Sequence, residues 1–188
     1  EKMKIAFVTG HVPLTEVKKS ITTENIILKT KQLNTSLIKD FGIRTPKIAV
    51  LGLNPHAGEN GLLGGEENKY IIPGVKKLKE EGVMAFGPYP ADSFFTNKNL
   101  ETFDGILSMY HDQGLTAFKT LSFSNGVNYT AGLNIVRTSP VHGTAYEIAG
   151  EGIADEKSFR EAVFMACNIY KKRKEYKELN ENPLAFKS

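Results

Sequence analysis

The chain has 188 residues, 40% of them apolar and 24% charged, with a formal net charge of +3. That balance is the one expected of a soluble globular protein of one substantial domain or two small ones. It excludes a disordered chain, and no apolar run approaches the roughly 20 residues that a bilayer-spanning helix needs. The single cysteine, Cys167, excludes an internal disulfide, lies in an apolar helical stretch where it is expected to be packed, and suits a cytoplasmic protein.

Residues 4–8 (KIAFV) read as a short strand that ends in TGH. The first residues are too quickly followed by polar sequence to form a signal peptide, and so abrupt an entry into a strand is expected of a portion of a longer protein. Residues 23–40 predict a helix: Ile26, Ile27, Leu33, Leu37 and Ile38 recur at roughly helical spacing, and Gly42 follows as a stop. Residues 47–51 predict a second strand, running into LGLNPHAGENGLLGGEE, too polar and glycine-rich for a core segment. A helix is expected over residues 66–81, with Ile71, Ile72, Val75 and Leu78 on one side and Pro73 disturbing its first turn.

Residues 83–90 read as a strand breaking into a turn, and 103–110 as a buried strand whose end delivers HDQG. A short helix is expected over 111–122, strands over 127–130 and 134–138, and a helix beginning near Thr144. The last helix is expected over 156–179, with Phe159, Val163, Ala166 and Tyr170 facing the core. Strands alternating with helices define the class as α/β. The basic run KKRKEYK at 171–177 reads as a solvated helix end, where cations suit the helix dipole, and no nucleic-acid motif accompanies it.

Three of the four histidines follow strand-like runs: His11 in VTGHVPL, His56 in LGLNPHAGENG and His111 in SMYHDQG. Ligands gather at the carboxyl ends of strands in α/β sheets, so three imidazoles could converge there on one divalent metal and leave a position open for substrate. The plainer alternative is three unrelated loop residues, because their spacing matches no local zinc motif. The glycine-rich loop is neither GxxxxGK[ST] nor GxGxxG. Its glycines either offer backbone N–H groups to an anion or let the chain turn around His56. Lys119, Asn128 and Arg137 are polar residues in apolar surroundings. The two cations suit a carboxylate or phosphate, or else are ordinary snorkelling surface side chains.

GLNPHAGENG, GPYPADSFF, MYHDQGLTAFK, GVNYTAGL, VRTS and HGTAYEIAGEG together, in this order, resemble the 4-hydroxythreonine-4-phosphate dehydrogenase family. These enzymes of pyridoxal phosphate biosynthesis are relatives of isocitrate and isopropylmalate dehydrogenases. The resemblance spans nearly the whole chain but only about the C-terminal half of the family's length. It implies a three-layer α/β/α fold, incomplete without the N-terminal portion. Residues 1–112 would be the remainder of a smaller, dimer-forming domain, and 113–188 the return into a larger NAD-binding domain. A histidine–threonine pair that helps bind substrate in the family has no counterpart here.

The resemblance also implies roles. His11, His56 and His111 match metal ligands shared across a homodimer interface. Lys119, Asn128 and Arg137 match substrate-binding positions. Asp92 and Asp112 match acidic positions near the site, so that Asp92, Asp112 and Lys119 are the candidate catalytic groups. His142, Gly143, Thr144 and Ala145 match the loop that holds the adenosine end of NAD. Two departures stand out: Gly10 where a threonine is common, and Asn134 where a proline is common. The implied reaction is oxidation of 4-phosphooxy-L-threonine with NAD or NADP, followed by decarboxylation to 3-amino-2-oxopropyl phosphate. The implied metal is zinc, cobalt, magnesium or manganese. Neither a nucleic-acid nor a membrane partner is expected. Related dehydrogenases acting on erythronate or threonate 4-phosphate share the metal histidines. A three-histidine zinc hydrolase and an inactive fragment are the readings from other classes. The chain alone is expected to be poorly active.

Overall fold

Four short strands run parallel in the order β1-β4-β2-β3: β1 (Ile5–Phe7), β2 (Ile48–Leu51), β3 (Ala85–Tyr89) and β4 (Gly105–Ser108). The computed structural model describes residues 3–122, 126–141 and 146–182. Every residue of β2 and β4 is buried, as expected of central strands covered on both faces. Alternate side chains therefore serve two cores. Val50 and Leu107 pack with Val17, Ile21, Ile26, Val75 and Leu78 of α1 (Leu14–Ser20), α2 (Thr23–Lys39) and α3 (Ile72–Glu80). Ala49, Leu51 and Ile106 pack on the opposite face with Phe94, Leu100 and Phe103, around α4 (Ala91–Phe94) and α5 (Asn97–Thr102). Also on that face lies α6 (His111–Leu121), brought close to the sheet by Gly114. A Cβ there would stand 2.7 Å from Ser108 Oγ and 2.8 Å from Ile5 Cγ2.

The sheet with helices on both faces is the three-layer α/β/α arrangement the sequence implied. Several local expectations need correction. Residues 14–20 form a helix that the sequence reading missed, and two short helices, α4 and α5, precede β4. The expected helix at 66–81 begins instead as a wider turn over Glu67–Ile71 and becomes α-helical only from Ile72. Pro73 then falls in the first turn of α3, where its missing N–H costs nothing. Ile72 is 44% exposed: at 3.6 residues per turn it stands about 100° round the helix from Ile71, at the margin of the buried stripe of Ile71, Val75 and Leu78.

Beyond α6 the chain forms an antiparallel hairpin, β5 (Val127–Tyr129) with β6 (Thr138–Pro140). The second strand lies later than the expected 134–138. It packs on α7 (Lys157–Glu181), which covers the end of α2. The predicted core stripe on this last helix is not what faces the protein. Ala162 and Ile169 are buried, whereas Phe159 and Tyr170 are 63% and 66% exposed and Val163 is exposed too. Among the described residues α7 packs mainly on the hairpin and the end of α2, and Phe159, Val163 and Tyr170 stand outside that seam. Cys167 lies on the exposed side rather than packed. The helix expected near Thr144 begins in residues outside those described, and from Tyr146 there is only a short turn to Ile148.

The hairpin is clasped to the body by one buried carboxylate. Asp40, at the end of α2, accepts from Ser36 Oγ at 2.6 Å, Tyr129 OH at 2.5 Å and Arg173 Nε at 2.7 Å. The guanidinium also donates to Tyr129 Oη at 2.8 Å and to the Leu133 carbonyl at 3.0 Å. Burial pushes the Asp40 carboxyl up, but the bonds from Arg173, Ser36 and Tyr129 outweigh it and hold the group below its ordinary value. Burial and the adjacent Asp40 carboxylate push the Tyr129 phenol up.

Candidate active site

The strand order places β1, β4 and β2 side by side, so the loops carrying His11, His111 and His56 leave neighbouring strands at one edge of the sheet. His11 follows β1, and His111 opens α6 directly after β4. Their rings are brought together, with centroids 5.5 Å apart, and Phe7 flanks His111 at 5.6 Å. Both line a cleft of about 270 Å³ with Gly10, Tyr110 and Asp112. Asp112 Oδ1 lies 2.6 Å from His111 Nδ1. A carboxylate can only accept, so this contact places a proton on Nδ1, and in a neutral ring that tautomer frees the Nε2 lone pair for a ligand.

His56 is presented differently. Its loop (Pro55–Gly61) winds left-handed, with φ of 52° at His56, 51° at Ala57, 80° at Gly58, 42° at Glu59 and 57° at Asn60. Each non-glycine residue in that conformation costs about 1–2 kcal/mol, so the loop must be held from outside. Glu67, 2% exposed, holds its base. Its Oε1 accepts from the backbone N–H groups of Leu53 and Asn54, both at 2.8 Å, and its Oε2 from Asn54 Nδ2 at 2.9 Å. The carboxylate fills the space beside Gly52 and Gly58, where a Cβ would meet its oxygens. Asn54 Nδ2 also reaches Glu66 Oε2 at 2.8 Å, and Glu66 pairs with Lys18 of α1 at 2.7 Å. The hydrogen bonds from Lys18 and Asn54 hold the Glu66 carboxyl at about 2.

Among the described residues no three His, Cys, Asp or Glu side chains gather closely enough to hold a metal within one chain. The His11 and His111 rings nevertheless stand side by side, with centroids 5.5 Å apart. Imidazole nitrogens bound to one metal at about 2.0–2.1 Å lie up to about 4 Å from each other. His56, exposed on the adjacent loop, does not complete the set inside the chain.

The remaining candidates stand apart from this pair. Asp92 is exposed in the first turn of α4, and Lys119 is exposed in the last turn of α6. In the hairpin, Asn128 pairs with Ser139, and Thr130 N–H donates to the Arg137 carbonyl at 3.0 Å. Strand alternation therefore puts Asn128 and Arg137 on one face, with Arg137 Nη1 donating to Thr130 Oγ1 at 2.8 Å. Tyr129 and Thr138 point the other way, toward Asp40 and the Ala162 carbonyl. His142, Gly143, Thr144 and Ala145 lie outside the described residues. At Gly10 a Cβ would meet nothing within 4 Å, so the absent threonine reflects no steric demand. Sequence reasoning overlooked Glu67, Asp40 and Arg173, whose partners are distant in the chain. It also quoted Gln113 within MYHDQG without giving it a role.

A parallel sheet with helices on both faces, and two imidazoles side by side at its carboxyl edge, places the chain among the three-layer α/β proteins, in which ligands gather beside the strand ends. The family model described as pyridoxal phosphate biosynthetic protein PdxA matches residues 1–166. The chain belongs to that family. It is 52% identical over 181 residues to a 4-hydroxythreonine-4-phosphate dehydrogenase of Bacteroides thetaiotaomicron, covering 96% of this chain and 50% of the relative. A namesake from Sulfurihydrogenibium sp. is 47% identical, covering 93% of this chain and 53% of its own length. Among solved structures, 4-hydroxythreonine-4-phosphate dehydrogenase from Klebsiella pneumoniae superimposes with a TM-score of 0.79 at 38% identity, over 90% of this chain and 51% of that one. The chain thus spans about half the length of the curated relatives it matches.

Proposed function

We propose that the protein oxidises the secondary alcohol of 4-phosphooxy-L-threonine with NAD, in a reaction that depends on a divalent metal and serves pyridoxal phosphate biosynthesis. The observation that carries this reading is the His11–His111 pair at adjacent strand ends in a chain of this family. Oxidation moves a hydride from the carbinol carbon to the nicotinamide and a proton from the hydroxyl to a base. The resulting β-keto acid loses carbon dioxide to give 3-amino-2-oxopropyl phosphate. A divalent cation, when bound, supplies a Lewis acid that lowers the cost of charge on the substrate oxygen.

In this reading His11, His56 and His111, shared between two copies, offer neutral nitrogen ligands, which leave the cation's charge undiminished. Asp112 holds the His111 ring in the tautomer that frees Nε2. The proton acceptor is Asp92, Asp112 or Lys119. Arg137 meets the phosphate through its planar donor fork, and Asn128 adds a hydrogen bond from the same hairpin face. His142–Ala145 hold the adenosine end of NAD. Residues 1–112 belong to the smaller domain, through which two protomers pair, and 113–188 return to the cofactor-binding one. The exposure of Leu62 and Leu63 beside the His56 loop supports a site shared between two copies. Among the described residues no helix is long and apolar enough to cross a membrane. The test is NADH formation by the whole protein with 4-phosphooxy-L-threonine and, separately, erythronate 4-phosphate. Turnover of the first over the second supports the reading; the reverse preference moves the protein to the sugar-acid branch.

A further inference from the structure

We propose that Gln113 is a positioning residue that sets the His56 loop against the His111 strand end; the proposal rests on the metal-binding reading above. The three histidine-bearing strand ends are joined through Met109, directly from Thr9 and through the Gln113 side chain from Gly52. The Met109 carbonyl accepts from Thr9 N–H at 3.1 Å and from Thr9 Oγ1 at 2.9 Å, two residues before His11. Its N–H donates to Gln113 Oε1 at 2.7 Å, and Gln113 Nε2 donates in turn to the Gly52 carbonyl at 2.7 Å. Gly52 is where β2 ends and the His56 loop begins, and Gly52 N–H is already committed to the Tyr89 carbonyl at 2.8 Å.

The order of these bonds matters. The register of β1 with β4 ends at Phe7 and Ser108 and that of β2 with β4 at Val50 and Leu107, with Val8 N–H still donating to the Ser108 carbonyl at 2.9 Å. Beyond that point Thr9 ties the first arm to the second, and Gln113 ties the second to the third. Gln113 joins a donor at the end of β4 to an acceptor at the end of β2, because an amide offers both N–H and C=O from one rigid plane. Glu67 shapes the left-handed loop internally through its bonds to Leu53 and Asn54, and the link to the β4 end runs through Gln113.

Glutamate is the discriminating replacement. Gln113→Glu retains an oxygen for Met109 N–H but sets a second oxygen against the Gly52 carbonyl, so only the β4–β2 link is lost. Gln113→Met removes both bonds with little change in volume. Both variants and His56→Ala are made in the whole protein, and cobalt(II) binding is titrated by calorimetry alongside metal-free thermal unfolding. Gln113→Glu is expected to weaken cobalt binding about ten-fold, the lower end of what loss of a ligand-orienting partner brings. Combined with His56→Ala it is expected to add nothing further, because it acts through that loop. Cobalt affinity unchanged in both Gln113 variants would overturn the proposal. Weakening that persists in full in the His56→Ala background would also overturn it, since the residue would then act by a route independent of the His56 loop. Absence of cobalt binding by the unaltered protein would remove the metal-binding reading itself and the proposal with it.

Discussion

Replacing Asp40 by asparagine tests the clasp between the body and the β5–β6 hairpin. The Asp40 side chain is 5% exposed and its Arg173 partner 23%, so the change leaves a largely buried guanidinium facing an amide that can offer it no charge. Breaking a buried pair from one side costs about 3–5 kcal/mol, and the water still reaching Arg173 sets the expectation at about 3 kcal/mol. For a chain of this size that lowers the unfolding midpoint by roughly 6–12 °C. Tyr129→Phe leaves the ion pair in place and removes the hydroxyl's two hydrogen bonds, to Asp40 and from Arg173, so about 2 kcal/mol is expected at about 1 kcal/mol each. The assay is urea unfolding of each variant, repeated at several pH values. A carboxyl held below its ordinary value contributes stability above that value and loses it as pH falls through the folded one. The unaltered protein should therefore weaken on acidification more than Asp40→Asn does. The phenol, raised on folding, contributes below its ordinary value and loses that contribution as pH rises through the folded one, an alkaline loss that Tyr129→Phe should abolish. A cost below about 1 kcal/mol for Asp40→Asn would refute the reasoning, because solvent would then be satisfying Arg173 as well as the carboxylate does.

Two further outcomes follow from the packing and the charges. Gly114→Ala puts a Cβ within 3.0 Å of Ser108 Oγ, Ile5 Cγ2 and Phe7 Cε1. It should cost about 1–3 kcal/mol in unfolding assays by forcing α6 off the sheet. Lys18→Met should flatten the acid limb of the stability profile between the ordinary carboxyl value of 4.5 and about 2. Glu66 contributes above the upper value and loses that contribution toward the lower one. Because Lys18 is exposed, high salt should shrink the difference between the two proteins.

The parts of this fold that could be read from sequence are those with local cause. IAVL and GILS are continuous apolar runs, and both proved to be strands buried on two faces. Gly42 stops α2 with a φ of 70°, the left-handed exit expected of a glycine there. Three histidines after strand ends were legible for the same reason, and the strand order then set their loops side by side. What escaped was long-range. Tyr129 and Asp40 are 89 residues apart and Arg173 and Asp40 are 133 apart, distances that no local period reports. The helix α1 was missed because LTEVKKS buries only Val17 and so shows no stripe. The exposed stripe of Phe159, Val163 and Tyr170 has the correct helical spacing, but among the described residues nothing covers it.

The central claim is that the imidazoles at the strand ends hold a divalent metal on which alcohol oxidation depends. Its most direct measurement is NADH formation from 4-phosphooxy-L-threonine by the whole protein. It is made before and after chelation, after metal is restored, and in His111→Ala with its metal content determined. The account predicts that chelation abolishes turnover, that metal restores it, and that His111→Ala loses both metal and activity while staying folded. Full turnover in the chelated protein, or full metal content in His111→Ala, would contradict it.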